Sequence, residues 1–447
     1  MDEMFQLSVE LYDTKDKKVV WSDRWQEKWD NLPTIKGSLS DGLLKALDTT
    51  SKVEKKVETT NTEAYEFYLK AQLKWLKRKN KKDIDLSRGL LEKSIELDDN
   101  SCYNRNLLGH TYLDTGEYSK SKECFMHSFK TATKSNNTKD LAITNLCIGY
   151  YYSRIGKLSE STKYAIDSLE INEKINNIEG VSSSCFLIGI NYSYQNNLDQ
   201  ALLYYNKSLD INKSINNKFG IANILNSIGN IFSDKGEYDK ALHYYNKCLK
   251  IDKELKYDRG KCALLNNISG VYFDKGNIDL CLRYLHRSIA IAKKLDLQAS
   301  IASRYYFLGK IFITIGKYND AKVNIINSLK IANNINNKHR MIHPYRELGC
   351  LHFHLRDYYE AIKNLVKSIS IQKEVGDEKE KLSAIIYLYL TYKNIGKEYD
   401  VKEIHALIKE AENIDFEINL RLYELLEDTS YLETAYNQVH EKANKLE

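Results

Sequence analysis

From about residue 100 onward, apolar side chains recur at helical spacing, in paired runs separated by short polar breaks. Ile221, Leu225, Ile228 and Phe232 follow i, i+4, i+7 and i+11 spacing, one face of a helix. The segment "KGEY" (235–238) interrupts, and Ala241, Leu242, Tyr245, Leu249 and Ile251 mark a second amphipathic run. Gly236 suits the left-handed conformation that ends a helix. A break this short joins antiparallel neighbours, so the pattern predicts a helical hairpin.

The hairpin repeats every forty residues. Glycine recurs at 109, 149, 189, 229, 309 and 349, with Ser269 followed by Gly270 in the one gap. A second series at the break is Gly116, Gly156, Gly236, Gly276, Gly316 and Gly396, with Asn196 and Arg356 in the vacancies. A third closes each unit: "SLEI" from 168, "SLDI" from 208, "CLKI" from 248, "SIAI" from 288, "SLKI" from 328 and "SISI" from 368. Gly229 lies inside an apolar helical run, where glycine costs roughly 1 kcal/mol relative to alanine. The sequence reading is that Gly229 and Ala241 are small residues on two helices that pack closely.

Leu225, Ile228, Gly229, Phe232, Gly236, Tyr238, Ala241, Tyr245, Cys248 and Leu249 together resemble the tetratricopeptide repeat. The resemblance covers residues 63–415, with seven clear units over 102–375 and about nine in all. Each unit is longer than the family's commonest repeat by about six residues. The excess lies in segments such as "KINNIEG" (174–180) and "SINNKFG" (214–220), and the proline that usually ends the second helix is missing. The fold implied is all-α, a right-handed α-solenoid of helical hairpins. Pro344 falls inside an expected first helix, which either starts late or kinks there.

The ends read differently. "FQLSVELYD" and "KKVVWSDRW" alternate with period two about "TKDK" and predict a β-hairpin, followed by a helix over Thr34–Leu47. Val9–Asp13, Val20–Trp25 and Ala64–Ala71 resemble the end of a bacterial TolB-like domain that precedes such repeats. That resemblance implies that most of an α/β domain lies upstream of Met1. It also implies a covalent link to an effector such as a class III adenylate cyclase, a winged-helix regulator or a kinase. The expected organisation is 1–60 as the remnant of that domain, 61–415 as the solenoid and 416–447 as capping helices.

Composition narrows the function classes. Of 447 residues, 43% are hydrophobic and 28% charged, ordinary for a folded chain. The formal charge of +5 is small, and lysines alternate with acids, so nucleic acid is not an expected partner. No apolar run approaches the ~18 residues of a membrane helix. The eight cysteines form no CxxC pair and sit in apolar helical settings, which suits a reducing cytoplasm. No catalytic constellation, nucleotide loop, metal site or cofactor site is expected. The nearest approach to a metal motif, "CLHFH" (350–354), puts His352 and His354 on different helix faces.

The family resemblance implies that the first helix of each hairpin lines a concave groove. Asn223, Asn226 and Asn230 lie at i, i+3 and i+7, off the apolar face, and Asn266 and Asn267 continue the set in the next unit. Asparagine both donates and accepts, which suits holding a peptide backbone without demanding one sequence. The plainer alternative is that an asparagine-rich chain merely solvates these positions. Tyr306, Lys310 and Arg346 occupy comparable positions further along, and His110 and Asp114 are the counterparts near the start. The expected function is non-catalytic binding of a peptide or protein partner. The alternative is the sensory part of a bacterial signalling protein whose effector lies upstream.

Overall fold

The computed structural model describes residues 4–13, 18–28, 61–76, 78, 81–376, 381–411 and 414–444. The helix expected over Thr34–Leu47 lies outside these residues. The chain divides into two compact units, Met1–Arg78 with Lys82–Leu108, and Lys79–Lys81 with Gly109–Glu447.

In the first unit, strands β1 (Met4–Asp13) and β2 (Lys18–Lys28) pair antiparallel, Met4 opposite Lys28 and Asp13 opposite Lys18, with an irregularity between Leu11 and Tyr12. Helices α1 (Thr62–Leu76) and α2 (Lys81–Leu97) form a hairpin. The Ser87 hydroxyl donates to the Ala71 carbonyl at 2.9 Å and that of Ser94 to the Ala64 carbonyl, all four residues being buried.

The second unit holds the end of α3 (Cys102–Thr115) and then a regular array. Its helices are α4 (Tyr118–Lys134), α5 (Thr138–Arg154), α6 (Leu158–Lys174), α7 (Ile178–Tyr194), α8 (Leu198–Ser214) and α9 (Lys218–Asp234). The array continues with α10 (Tyr238–Glu254), α11 (Asp258–Asp274), α12 (Ile278–Lys294), α13 (Gln298–Thr314), α14 (Tyr318–Asn334), α15 (His339–His354) and α16 (Tyr358–Val375). It closes with α17 (Lys381–Asn394), α18 (Val401–Glu410), α19 (Phe416–Leu426) and α20 (Thr429–Asn444). Each first helix from α5 to α15 packs on the second helix that follows it, and α5, α7, α9 and α11 also touch in succession, as do α13, α15 and α17. One side of the array is therefore made of first helices alone. Helix α15 starts one residue later than the forty-residue register requires and runs on through Pro344.

The chain reverses every twenty residues by the same device. At the break within each hairpin, Gly116, Gly156, Gly236, Gly276, Gly316 and Gly396 have φ between 70° and 84°, and Asn196 and Arg356 take the same left-handed region. The Gly236 N–H reaches the Ser233 carbonyl at 2.9 Å and the Glu237 N–H the Phe232 carbonyl at 2.8 Å, so two otherwise open carbonyls are satisfied. The turn between hairpins repeats the arrangement with Asn136, Asn176, Asn216, Lys256, Asp296 and Asn336 at φ near 50°. Asparagine tolerates that conformation better than most side chains. The next residue caps the following helix: Asn137, Asn177 and Asn217 accept from the backbone N–H groups of Asp140, Gly180 and Gly220. Much of the asparagine content is turn and cap chemistry.

The mid-helix glycines do make room for a partner helix, but Ala241 is not what Gly229 accommodates. A Cβ at Gly229 would lie 2.5 Å from the Tyr245 ring. The same offset of sixteen residues recurs: Gly109 faces Phe125, Gly189 faces Tyr205, Gly309 faces Ile325 and Gly349 faces Leu365. At Gly149 the residue sixteen on is Ala165, and the space is taken by Leu187 from the next hairpin. Ala241 is fully buried on the same helix, one turn from the ring that occupies the space. Gly229 and Ala241 are both buried on two closely packed helices, as the sequence reading has them, and the side chain that fills the space at the glycine is the large Tyr245.

The third series carries the second cross-helix link. Ser168, Ser208, Ser288 and Ser368 donate to the carbonyls of Ala142, Ser182, Cys262 and Ile342 at 2.7–2.9 Å, each twenty-six residues earlier. Cys248 makes the equivalent contact with the Ala222 carbonyl at 3.1 Å. A buried hydroxyl needs such a partner. Among the described residues all the cysteines but Cys124 are buried, and burial pushes the Cys248 and Cys281 thiols up to about 12, so they pack as small apolar groups.

Gly229→Ala should lower stability by roughly 1–3 kcal/mol, the cost of overpacking. Gly270→Ala, where an added Cβ meets nothing within 4 Å, should raise it by up to about 1 kcal/mol. Thermal melts of the two variants beside the wild type would show opposite shifts; shifts of one sign would remove the packing account.

Candidate functional site

The face made of first helices is the place where polar side chains gather off the core. On α9, Asn223 and Asn230 are exposed and Asn226 is half-buried; on α11, Asn266 and Asn267 are half-buried. Three of the five come together. The Asn267 amide donates to the side-chain carbonyls of Asn226 at 2.9 Å and Asn230 at 3.3 Å, and the Tyr245 hydroxyl donates to that of Asn230 at 2.6 Å. The cluster joins two hairpins and fixes its own amide orientations. By valence, the Asn226 and Asn230 N–H groups and the Asn267 carbonyl remain for a ligand. Asn223 and Asn266 stand beside the cluster, and their backbone carbonyls accept from the hydroxyls of Ser227 and Ser269.

Tyr306, Lys310 and Arg346 belong to a second cluster whose centre the sequence reading did not include. That centre is Glu347. Its carboxylate accepts from Arg346 at 3.0 Å and from the Tyr306 hydroxyl at 3.2 Å. Burial disfavours the Glu347 charge, but Arg346 and nearby Lys310 outweigh it and hold the carboxyl below its ordinary value. Burial likewise works against the Arg346 charge, and Glu347 outweighs it and holds the guanidinium above its ordinary value. Burial and then Glu347 push the Tyr306 hydroxyl well up. Arg346 is thus a buried structural cation, while Lys310 is exposed. The forty-residue register could have pointed to Glu347, because it occupies the place of Asn267 two units on.

Further groups the sequence reading passed over line a cavity of about 360 Å³ inside the second unit. One wall comes from Leu113, Asp114, Tyr118 and Arg154, the other from residues between Ala302 and Pro344 on α13, α14 and α15. The array therefore curls far enough for its early hairpins to face later ones, and Tyr118 packs against the apolar cluster around Ile325 and Met341. The Arg340 guanidinium donates to Ser303 Oγ at 2.6 Å, and the His343 ring lies 5.8 Å from that of Tyr306. His110, the other early position, has Nε2 3.3 Å from Cys147 Sγ, and burial lowers its pKa against the opposing effect of Asp114.

Among the described residues no group of three His, Cys, Asp or Glu could hold a metal ion, and no helix is long and apolar enough to cross a membrane. His352 is buried with Nδ1 3.1 Å from the Asp357 carboxylate, whereas His354 is exposed.

Because the folded Glu347 carboxyl lies below its unfolded value of about 4.3, the pair's contribution is complete above that pH and is lost as pH falls through the folded value. Glu347→Gln should cost roughly 3 kcal/mol at neutral pH, since it strips the carboxylate bonded to a buried arginine. Melting curves of both proteins should converge as pH falls through the lowered folded value of Glu347. A gap that stays constant with pH would refute the assignment.

A tetratricopeptide repeat family model matches residues 104–134, and a second one matches 188–254. No curated protein matches the chain in sequence. Among solved structures the chain is similar to a Rap protein complexed with competence and sporulation factor, at 15% identity over 77% of this chain and 98% of that one, TM-score 0.53. It is also similar to aspartyl phosphate phosphatase F from Bacillus subtilis, at 14% identity over 78% and 94% of the two chains, TM-score 0.50. At these identities the likeness is one of fold. The chain carries tetratricopeptide repeats, and the solved structures similar to it are helical-repeat proteins of that kind.

Proposed function

We propose that the protein is a non-catalytic interaction scaffold, cytoplasmic and bacterial, that holds an extended peptide or protein segment along the face of its first helices. One observation carries the reading: that face presents a polar side chain at one repeat position hairpin after hairpin, Asn226 on α9, Asn266 on α11, Tyr306 on α13 and Arg346 on α15, with Asn230, Asn267 and Lys310 beside them. Packed helices lie about 8–10 Å apart. An extended chain rises about 3.3 Å per residue. A polypeptide laid across the helices therefore offers one residue in three to each repeat, a match that a compact small molecule lacks. The mutual bonding of Asn226, Asn230 and Asn267 supports the reading further, because amides already fixed lose little freedom on binding. The similar Rap protein is complexed with competence and sporulation factor, which agrees with a fold that receives a partner.

A second reading rests on the resemblance of residues 1–71 to the end of a TolB-like domain. In it the same face is the sensory arm of a signalling protein, joined to a cyclase or winged-helix effector upstream. Genomic sequence ahead of the Met1 codon, read for an in-frame effector domain, separates the two.

Selection from a displayed library of nine-residue peptides tests the groove itself. Clones enriched on the wild type should bind Asn223→Arg at least about tenfold more weakly, while its melting temperature stays put because the site is exposed. Equal binding to the two proteins would place the ligand elsewhere.

A further inference from the structure

The cavity between the early and late hairpins of the second unit differs from the rest of the groove in charge. Its lining carries two guanidinium groups, Arg154 and Arg340, against the one carboxylate of Asp114, with the rings of His339 and His343 beside them. Arg340 directs one donor to Ser303, out of the five a guanidinium holds. Neither arginine has a carboxylate within ion-pair distance among the described residues, in contrast to Arg346, which Glu347 neutralises. Burial first, then the like charges of Arg154 and Arg304, pushes the Arg340 guanidinium down to about 10, with Asp114 opposing only in part. The site holds more positive charge than its own acids offset.

Its walls are equally specific. Tyr118, Tyr306 and Pro344 supply flat or apolar surface around the cations, beside Leu113 and Ala302. At about 360 Å³ the space equals roughly twelve waters at ~30 Å³ each, enough for one side chain and the adjoining backbone. Tyr306 and Lys310 lie one turn apart on α13, so the cavity continues the row of groove positions.

Building on the groove reading above, we propose that this cavity is the anchor of the groove and takes a carboxylate of the bound polypeptide, either an aspartate or glutamate side chain or the C-terminal carboxyl group. A planar carboxylate suits the fork of a guanidinium, and the charge-assisted bonds that result are among the stronger ones available. Asn226, Asn230 and Asn267 then hold backbone amides without sequence preference, and the anchor sets register. Because the two walls come from hairpins four or more repeats apart, an occupied cavity also ties the early turn of the array to the late one. Occupancy should raise the melting temperature of the second unit as well as retain the peptide.

The test uses the full chain and three pools of acetylated nine-residue peptides. The first has one fixed central glutamate and an amidated end, the second no acid and a free C-terminal carboxyl group, the third neither. The wild type should retain the first or second pool at least about tenfold over the third, and whichever is retained identifies the source of the carboxylate. Arg154→Gln and Arg340→Gln should each abolish that preference, and the preference should shrink as salt is raised. Arg154 is exposed, so its replacement reports on binding even where loss of the Arg340–Ser303 bond perturbs folding. Lys207→Gln, an exposed charge removed elsewhere, should change nothing. Retention of all three pools alike, or an acid preference that survives Arg154→Gln, would overturn the anchor while leaving the groove reading standing. Retention of no pool by the wild type would overturn both.

Discussion

The repeat depends on one steric arrangement, a helix backbone bare enough for a large side chain from its partner to rest against it. Glycine supplies the bare backbone at 109, 189, 229, 309 and 349, and the side chain sixteen residues later is Phe, Tyr, Tyr, Ile or Leu. The filler varies, and in one unit the buried Ser269 stands where the others have glycine. At Gly149 the partner position holds Ala165, and Leu187 of the neighbouring hairpin occupies the volume instead. What is kept is filled space, as dense packing requires. The cost of a mid-helix glycine is offset by the ring or branched chain it admits, and the serine-to-carbonyl bonds next to it hold the same two helices at close range.

Everything on the face of first helices follows from that spacing. Two helices fixed at one distance, reversed by a left-handed residue every twenty positions, give hairpins that stack in one way. The first helices then form a continuous surface, and a side chain at a given repeat position recurs at the same place on it. Exposed bridges such as Lys235 to Asp199 and Lys275 to Asp239 repeat on the outer turns with the same regularity, but as solvated pairs they add little to stability. The nested helices set the geometry, and the charges decorate it.

The period, the hairpin and the left-handed glycines were legible because each leaves a residue at a fixed interval. Position 196 could be read in the same way, since asparagine takes the conformation glycine takes at its counterparts. The partner of Gly229 was not legible. Sequence places Ala241 and Tyr245 on one face, and only side-chain direction reveals that the ring reaches the gap. The role of asparagine was half legible: at 136, 176, 216 and 336 it makes turns, and at 226, 230 and 267 it makes a bridge. Composition alone cannot separate these uses. Arg346 looked like a groove cation because the pattern shows which face a residue takes, not what neutralises it there. Arg154 and Arg340 escaped notice for the opposite reason, since their meeting depends on how far the array curls, a sum of small rotations that no single repeat records.

On the proposed reading, the two regions of that face differ in what they can ask of a ligand. Around Asn226 and Asn267 the protein presents amides that are already bonded to one another, so their orientation is fixed before a partner arrives and their affinity for any one backbone is modest. Around Arg154 and Arg340 it presents charge that its own acids do not balance, and such charge gains most from an anion brought in with the ligand. Amides alone would hold many peptides in several registers; cations alone would hold any acid. Set along one row of helices, they would favour a polypeptide whose acidic group lies a fixed number of residues from a segment able to run extended. Selectivity of that kind arises from the distance between two weakly selective patches, and the repeat is what keeps the distance constant.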